Sequence, residues 1–550
     1  MERQEEENET NFQALLSMTG DWSYYQWILL PLLTLPGCLA ASWVGYSQVF
    51  AVASPSHWCH PPINVTEFHL TETQWKNMAI PLGPADFSSC KQYAYKVDGN
   101  SVIINKSAEQ DCSHGWRYDH SLYDETLVTE MGLVCSADYW PALTMIIFNS
   151  GSVVGNLFFG HITDRYGRKK ALFLCVATSS LFSIASSLVV DVKTFAVMRF
   201  LAGLSFPAIY ATPVILAFEL IGDRYRIPTN TLFSTMFGAS TCALGIVANY
   251  VRNWRVLLVV SSMPGTLFLL CWRFIPESPR WLISKRQFSQ ATDTLISIAA
   301  RNKKLDRAED IRQACMKPLL GDNGNWQGDK SSLVDLFKTP SLRRITFLVT
   351  LIWLVNSTVY NGLLYNVPNM KLNDYTSFML SGAVEVPASL MTWPLMNSIG
   401  RRWSLTLTMG FGGVSTLLVP ALANVHSWAL GVLATVGKFA ITASFGILYA
   451  YANELYPTTV RGIGISFSSL TAMICVMLEP YVLYAVNSKS PTLPLAIMGA
   501  LSSTAALLSL FLPETKGAHL PETVEELAHA STVQKDSKIA AQPESLVVPL

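Results

Sequence analysis

Apolar residues run along most of this chain in stretches of about 20, separated by short polar turns. A helix of that length crosses the roughly 30 Å hydrocarbon core of a bilayer. The stretches lie near 26–49, 139–161, 171–190, 194–218, 229–251, 255–275, 344–366, 376–396, 403–423, 428–451, 462–486 and 491–512, which predicts twelve spanning helices. They are apolar nearly all round, whereas buried helices of a large soluble protein would be shorter and striped. Trp27, Tyr139, Trp140, Trp254 and Trp403 fall near span ends, where an interfacial belt of rings belongs.

Two longer polar stretches punctuate this pattern. One, 50–138, follows the first span; the other, 276–343, divides the spans six and six. Residues 26–275 and 344–512 therefore read as two halves, with a short segment 1–25 before them and a polar tail 513–550 after. Gly160 to Lys170 makes a tight turn after the second span and carries Asp164, Arg165, Arg168, Lys169 and Lys170. A fainter copy, Asn397 to Arg402 with Arg401, follows the eighth span. If the helices alternate, these turns and the basic 276–343 segment share one side, and short Lys/Arg-rich loops face the cytoplasm. Both termini are then cytoplasmic. The acidic start, Met1 to Glu9, has no apolar core of a signal peptide.

Composition agrees: half the residues are hydrophobic, 14% are charged, and mean hydropathy is +0.30. Formal net charge is zero, so no nucleic acid or other polyanion is implied as partner. No Gly-x-x-x-x-Gly-Lys-Ser/Thr loop is present, which argues against an ATP-driven pump. Neither a His/Cys cluster nor a nucleophile elbow supports an enzyme, and no cofactor is expected.

The 50–138 loop holds Cys59, Cys90, Cys112 and Cys135, enough for two disulfides in three pairings. It also holds glycosylation sequons at Asn64 and Asn105. A metal role for His57 beside Cys59 is the weaker reading. In the second loop, residues 288–317 read as one helix with an apolar face packed on the bundle, formed by Ala291, Leu295, Ile298, Ala299, Leu305 and Ile311. The last residues, Val548 to Leu550, match a PDZ ligand only by their apolar end.

The spans, the six-plus-six split and the Gly160–Lys170 turn resemble the major facilitator superfamily. Further stretches narrow this to the organic ion transporter family, solute carrier family 22: His57 to Cys59, Glu125 to Glu130 with Cys135, Pro276 to Ser284, Glu385 to Pro387, Glu454 to Thr458 with Arg461, and Leu512 to Thr515. Tyr360 to Gly362, Pro368 with Asn369, and Gly437 to Phe439 resemble the organic cation and carnitine branch most. The resemblance implies an all-α membrane protein with the major facilitator fold. It also implies a polyspecific secondary transporter of small organic cations or zwitterions at the plasma membrane. An organic anion exchanger, or a receptor or scaffold on the same fold, are the competing readings.

An ionised side chain in a bilayer costs about 3 kcal/mol on insertion scales unless it is paired or faces water. Glu385 and Lys438 lie at similar depth in their spans and are placed to pair, either as a structural bridge or as a substrate site. Glu479, before Pro480, reads either as drawing cations toward the cavity or, the preferred reading, as reaching the outer interface. Ring faces attract ammonium groups, so Trp353, Tyr360, Tyr365 and Phe445 are candidate wall residues. The family resemblance puts a substrate-linked charge at Met473, which is neutral here, and a lysine common in anion carriers at Ser389. At the basic turns, Asp164, Arg165, Arg168, Glu219, Glu277, Arg280, Arg401, Glu454 and Arg461 resemble the inner-gate cluster of the superfamily. Because Asn397 stands where Asp164 stands in the first half, the second-half contact is expected to be uncharged and weaker.

Overall fold

Spanning helices must satisfy every backbone group internally, so the apolar stretches have one solution in lipid, the α-helix. The computed structural model describes residues 12–61, 71–82, 87–98, 101–321, 333–366, 373–422, 427–457, 460–487 and 492–517. Its long helices are α1 (Tyr24–Ala51), α2 (Trp140–Tyr166), α3 (Arg168–Ser186), α4 (Val192–Leu220), α5 (Arg226–Tyr250), α6 (Trp254–Phe268), α7 (Pro340–Tyr365), α8 (Asp374–Ile399), α9 (Arg401–Leu417), α10 (Ser427–Leu455), α11 (Arg461–Asn487) and α12 (Leu493–Ser509). Ten of the described helices are long and apolar enough to cross a membrane by length and composition. The other two expected spans are α8 and α12. α12 has 17 residues. α8 has 26, but Ser377, Ser381, Glu385, Ser389 and Thr392 make it polar. Those residues are buried at a spacing of three or four, so the polarity is one stripe turned away from lipid.

Helices α1–α6 form one half and α7–α12 the other, and the halves meet where α2 packs on α11 and α5 on α8. Small residues set these crossings. On α2, a Cβ added at Gly155 would lie 1.7 Å from the carbonyl oxygen of Leu204 on α4, and one at Gly151 would lie 2.3 Å from that of Phe200. Between the halves, a Cβ at Gly382 of α8 would come within 2.4 Å of the Cys242 backbone nitrogen on α5.

The two basic turns have the same backbone. Gly167, between α2 and α3, has φ +105°, and Gly400, between α8 and α9, has φ +92°. At the opposite end the halves are joined. Tyr123 donates to Asp374 at 2.6 Å, Tyr375 to the carbonyl of Leu122 at 3.1 Å, and Tyr484 to Asp138 at 2.7 Å. Phe50 stacks on Tyr375 beside them.

The 50–138 loop carries the hairpin Lys91–Asp98/Ser101–Asp111 and pairs His57–Cys59 with Trp116–Tyr118. Disulfides join Cys59 to Cys112 and Cys90 to Cys135. The His57 ring nitrogen and the Cys90 and Cys135 sulfurs lie within 4.8 Å of one another, but those two sulfurs are bonded to each other, so the three do not make a thiolate metal site. Asn105 is exposed on the hairpin; Asn64 and the C-terminal tripeptide lie outside the described residues. The loop docks through the Glu125–Glu130 stretch. Asn253 donates to Glu125 at 2.9 Å, and Arg255 reaches Glu130 at 2.5 Å. Hydrogen bonds from Arg255 hold the Glu130 carboxyl below the usual range, against the opposing effect of its partial burial. Trp254, expected in the interfacial belt, is instead buried and donates to Glu130 at 2.8 Å; Trp27, Tyr139 and Trp403 remain exposed.

The single helix expected over 288–317 is two, Phe288–Arg301 and Ala308–Gly321, because Lys303 turns the chain with φ +59°. Leu305 is exposed in that turn rather than part of an apolar face. The face divides: Ile298 joins the cluster of Tyr25 and Leu29, while Leu295, Ala299 and Ile311 pack on Phe12, Leu15 and Leu16. Asn302 fixes this unit to α1 by accepting from the Tyr25 amide at 2.9 Å and donating to the Thr19 carbonyl at 2.9 Å.

Candidate functional site

A cavity of about 170 Å3 opens between the halves, lined by Tyr46, Phe148 and Asn149 from one and by Trp353, Tyr365, Phe445 and Met473 from the other. Trp353, Ser357, Asn361 and Tyr365 reach it because four-residue steps keep them on one face of α7. Trp353 meets Phe445 and Tyr449 edge-on, at 6.5 and 4.5 Å between ring centroids. Most of the wall is aromatic or apolar. Its polar groups are few, among them Asn149 beside Tyr365.

Glu385, Lys438 and Tyr360 stand one layer behind this wall rather than on it. The Lys438 ammonium lies 3.1 Å from Glu385 Oε1, and Tyr360 donates to the same oxygen at 2.6 Å. Lys438 also donates to the Tyr360 carbonyl at 3.2 Å and sits 3.1 Å above the Tyr360 ring centroid. Tyr360 borders the cavity through Phe445, 5.6 Å away between centroids. Both charges are buried, at 2% and 3% side-chain exposure. Such a pair roughly offsets its own desolvation while intact, and is costly when one partner is removed. Gly238 of α5 lets the opposite half reach it: a Cβ there would lie 2.6 Å from Glu385 Cβ. The pair therefore sits on the seam between halves.

Met473 lines the cavity and brings no charge to it; Ser389 is buried on the polar stripe of α8. Glu479 does not reach the outer interface. It is buried, with Oε1 beside Gly362 of α7 and next to Met498 of α12.

The basic turns form two matching clusters. In the first half, Arg168 bonds Glu219 at the end of α4 at 3.1 Å, and Glu277 accepts from the Lys169 amide at 3.0 Å, capping α3. In the second, Arg401 bonds both oxygens of Glu454 at the end of α10 at 3.0 Å, and Glu514 accepts from the Arg401 and Arg402 amides at 2.8 and 3.2 Å, capping α9. The anionic caps are favoured by the positive helix end. The second cluster is thus fully charged, contrary to the expectation from Asn397. Asp164 is 77% exposed and touches only the flank of the pair, through Arg168 at 3.3 Å, so its replacement by asparagine removes little. Glu514 was missed as a cluster member, although Pro513-Glu514-Thr515 repeats Pro276-Glu277-Ser278. Arg165 is exposed beside Tyr166, Arg280 faces Phe12, and Arg461 donates to the Tyr456 carbonyl at 3.4 Å.

Two six-helix halves around a central cavity, each with a Gly-Arg turn locked by two glutamates, define a carrier of the major facilitator class. The sugar (and other) transporter family model matches residues 86–527. The chain is 35% identical over 530 residues to organic cation transporter 1 of Caenorhabditis elegans, covering 94% of this chain and 88% of that one. It is 31% identical over 532 residues to human organic cation/carnitine transporter 2, covering 94% of each. Identity to the β-alanine transporter of Drosophila melanogaster is 31% over 580 residues, covering 98% and 94%. The chain belongs to the organic ion transporter family, solute carrier family 22, of the major facilitator superfamily. The fold alone is shared with the inward-open xylose transporter XylE from E. coli, at TM-score 0.60 and 15% identity, over 91% of this chain and 99% of that one.

Proposed function

We propose that the protein is a polyspecific secondary transporter that moves small organic cations or zwitterions across the plasma membrane by alternating access. The observation that carries this reading is the buried Glu385–Lys438 pair, bridged by Tyr360 and set directly behind an aromatic cavity on the seam between halves. A substrate ammonium attracted by the rings of Trp353, Tyr365 and Phe445 can compete with Lys438 for Glu385. Each ring face contributes about 0.5–2 kcal/mol to such a cation. The freed Lys438 then has a use for the carboxylate of a zwitterion. With the basic end cytoplasmic, the contacts joining the halves at the opposite end make this the inward-facing conformation.

Uptake into expressing cells tests the reading, with tetraethylammonium, carnitine and β-alanine as labelled probes, with and without sodium, at two membrane voltages. At least one probe accumulates above background, cationic amines inhibit it, and dicarboxylates do not. Inhibition by dicarboxylates instead would identify an anion exchanger, and no uptake of any probe would leave a receptor or scaffold.

The basic clusters act as the inner gate, each holding its own half rigid as the halves rock. Arg168→Ala and Arg401→Ala are expected to slow uptake about tenfold or more with surface delivery intact, since each strands a largely buried glutamate. Asp164→Asn should have a much smaller effect, because that carboxylate is exposed. Equal effects of Asp164→Asn and Arg168→Ala on initial uptake rate would contradict this ranking.

A further inference from the structure

Glu479 is a second buried acid, and the cluster at Glu385 makes no use of it. It is 4% exposed, and among the described residues neither carboxylate oxygen has a hydrogen-bond partner. On α7 the glycine at Gly362 makes room for it: a Cβ there would lie 2.3 Å from Glu479 Oε1 and 2.1 Å from Met498 of α12. Among the described residues, the titratable groups that face it are Tyr365 on α7 and Lys438 on α10, close enough to act electrostatically but not bonded to it. α2 contributes the uncharged Asn149 beside Tyr365, and α12 has no ionisable residue. Val476, one turn back along α11, lines the cavity. Glu479 therefore lies about 4.5 Å beyond the cavity wall, toward the end where Tyr123, Asp374, Asp138 and Tyr484 join the halves.

A carboxylate without a partner in this setting is costly, and the neutral acid costs much less. We propose that Glu479 is a proton-binding site whose occupancy is coupled to closure of the loop end. When that end is open to water the carboxylate is ionised. It takes one proton from solution, forming an O–H bond, before α7, α11 and α12 can close over it; reopening breaks that bond and returns the proton to water. The coupling ion of the carrier is then a proton. This deepens the transport reading, and rests on it only for the link between proton and substrate.

The test uses the full-length protein in lipid nanodiscs, with no substrate. Between about pH 6 and about pH 8.5 an ordinary carboxyl is already ionised. Over that range the unfolded chain has released the Glu479 proton while the closed protein still holds it, so each rise in pH favours unfolding. The melting temperature of the closed conformation should therefore fall by several degrees, and Glu479→Gln, which mimics the neutral acid, should abolish the fall. A wild-type protein with a flat profile overturns the proposal, as does a Glu479→Gln variant that keeps the wild-type slope. Should that variant fail to fold, the infrared spectrum of the wild type decides: a carboxylic-acid carbonyl band near neutral pH that is lost in alkali supports the site, and its absence overturns it. The two readings fail separately. Absent uptake of every probe with a Glu479-dependent melting profile removes transport and keeps the proton site. Uptake with an unchanged pH profile in Glu479→Gln removes the proton site and keeps transport.

Discussion

Glu385→Ala should reduce uptake to background and destabilise the protein by about 3–5 kcal/mol, because it leaves the Lys438 ammonium buried without a counter-charge. Lys438→Ala should cost a similar amount, stranding Glu385 with only the Tyr360 hydroxyl on it. The double variant Glu385→Gln/Lys438→Met separates structure from function. Removing both charges together restores most of the stability, since an intact buried pair contributes little net. Uptake of cationic probes should remain lost, because the acid that draws the ammonium is gone. Thermal melting and initial uptake rates on the same three variants check this. A double variant that transports normally would reduce the pair to a structural bridge.

The second large effect is expected at the α2–α4 crossing. Gly155→Ala places a methyl group where the Leu204 carbonyl oxygen stands, and that oxygen belongs to helix backbone, which cannot rotate away. The helices must separate, opening voids along a crossing that Gly151 also brings close. Overpacking costs of this kind run to about 3 kcal/mol. The variant should lose most of its monodisperse yield and melt well below the wild type. Gly160→Ala on the same helix is the control: nothing lies within 4 Å of its Cβ, so the small gain in helix propensity should leave it neutral or slightly stabilised. If both substitutions behave alike, close approach is not what Gly155 provides.

These two sites differ in how far the sequence announces them. Glu385 and Lys438 stand out because ionisable residues within apolar stretches are rare, and equal depth suggests that they meet. Gly151 and Gly155 form a small-xxx-small pattern that is legible only once a partner helix is known, since the same spacing occurs on lipid-facing surfaces. Glu479 shows the limit most clearly. Its distance from the span end suggests the interface, yet burial depends on which way α11 is rotated and on what α7 and α12 put against it. Trp254 fails for the same reason: a ring near a span end is interfacial unless a loop covers it, and here the Glu130 segment does.

By itself the sequence determined the membrane class and the carrier family. Each follows from a local rule: hydrocarbon thickness sets run length, Lys and Arg in short loops favour one side, and a turn with positive φ needs glycine. Only the tertiary structure decided which aromatic residues face the cavity and which stand behind it, that Glu479 is buried, and that Glu514 completes the second cluster where Asn397 had suggested a neutral one. Those outcomes depend on the rotation and depth of helices packed across sequence separations of many tens of residues. No residue's own chemistry specifies them, because in lipid an apolar helix face is equally content against a tail or a neighbour.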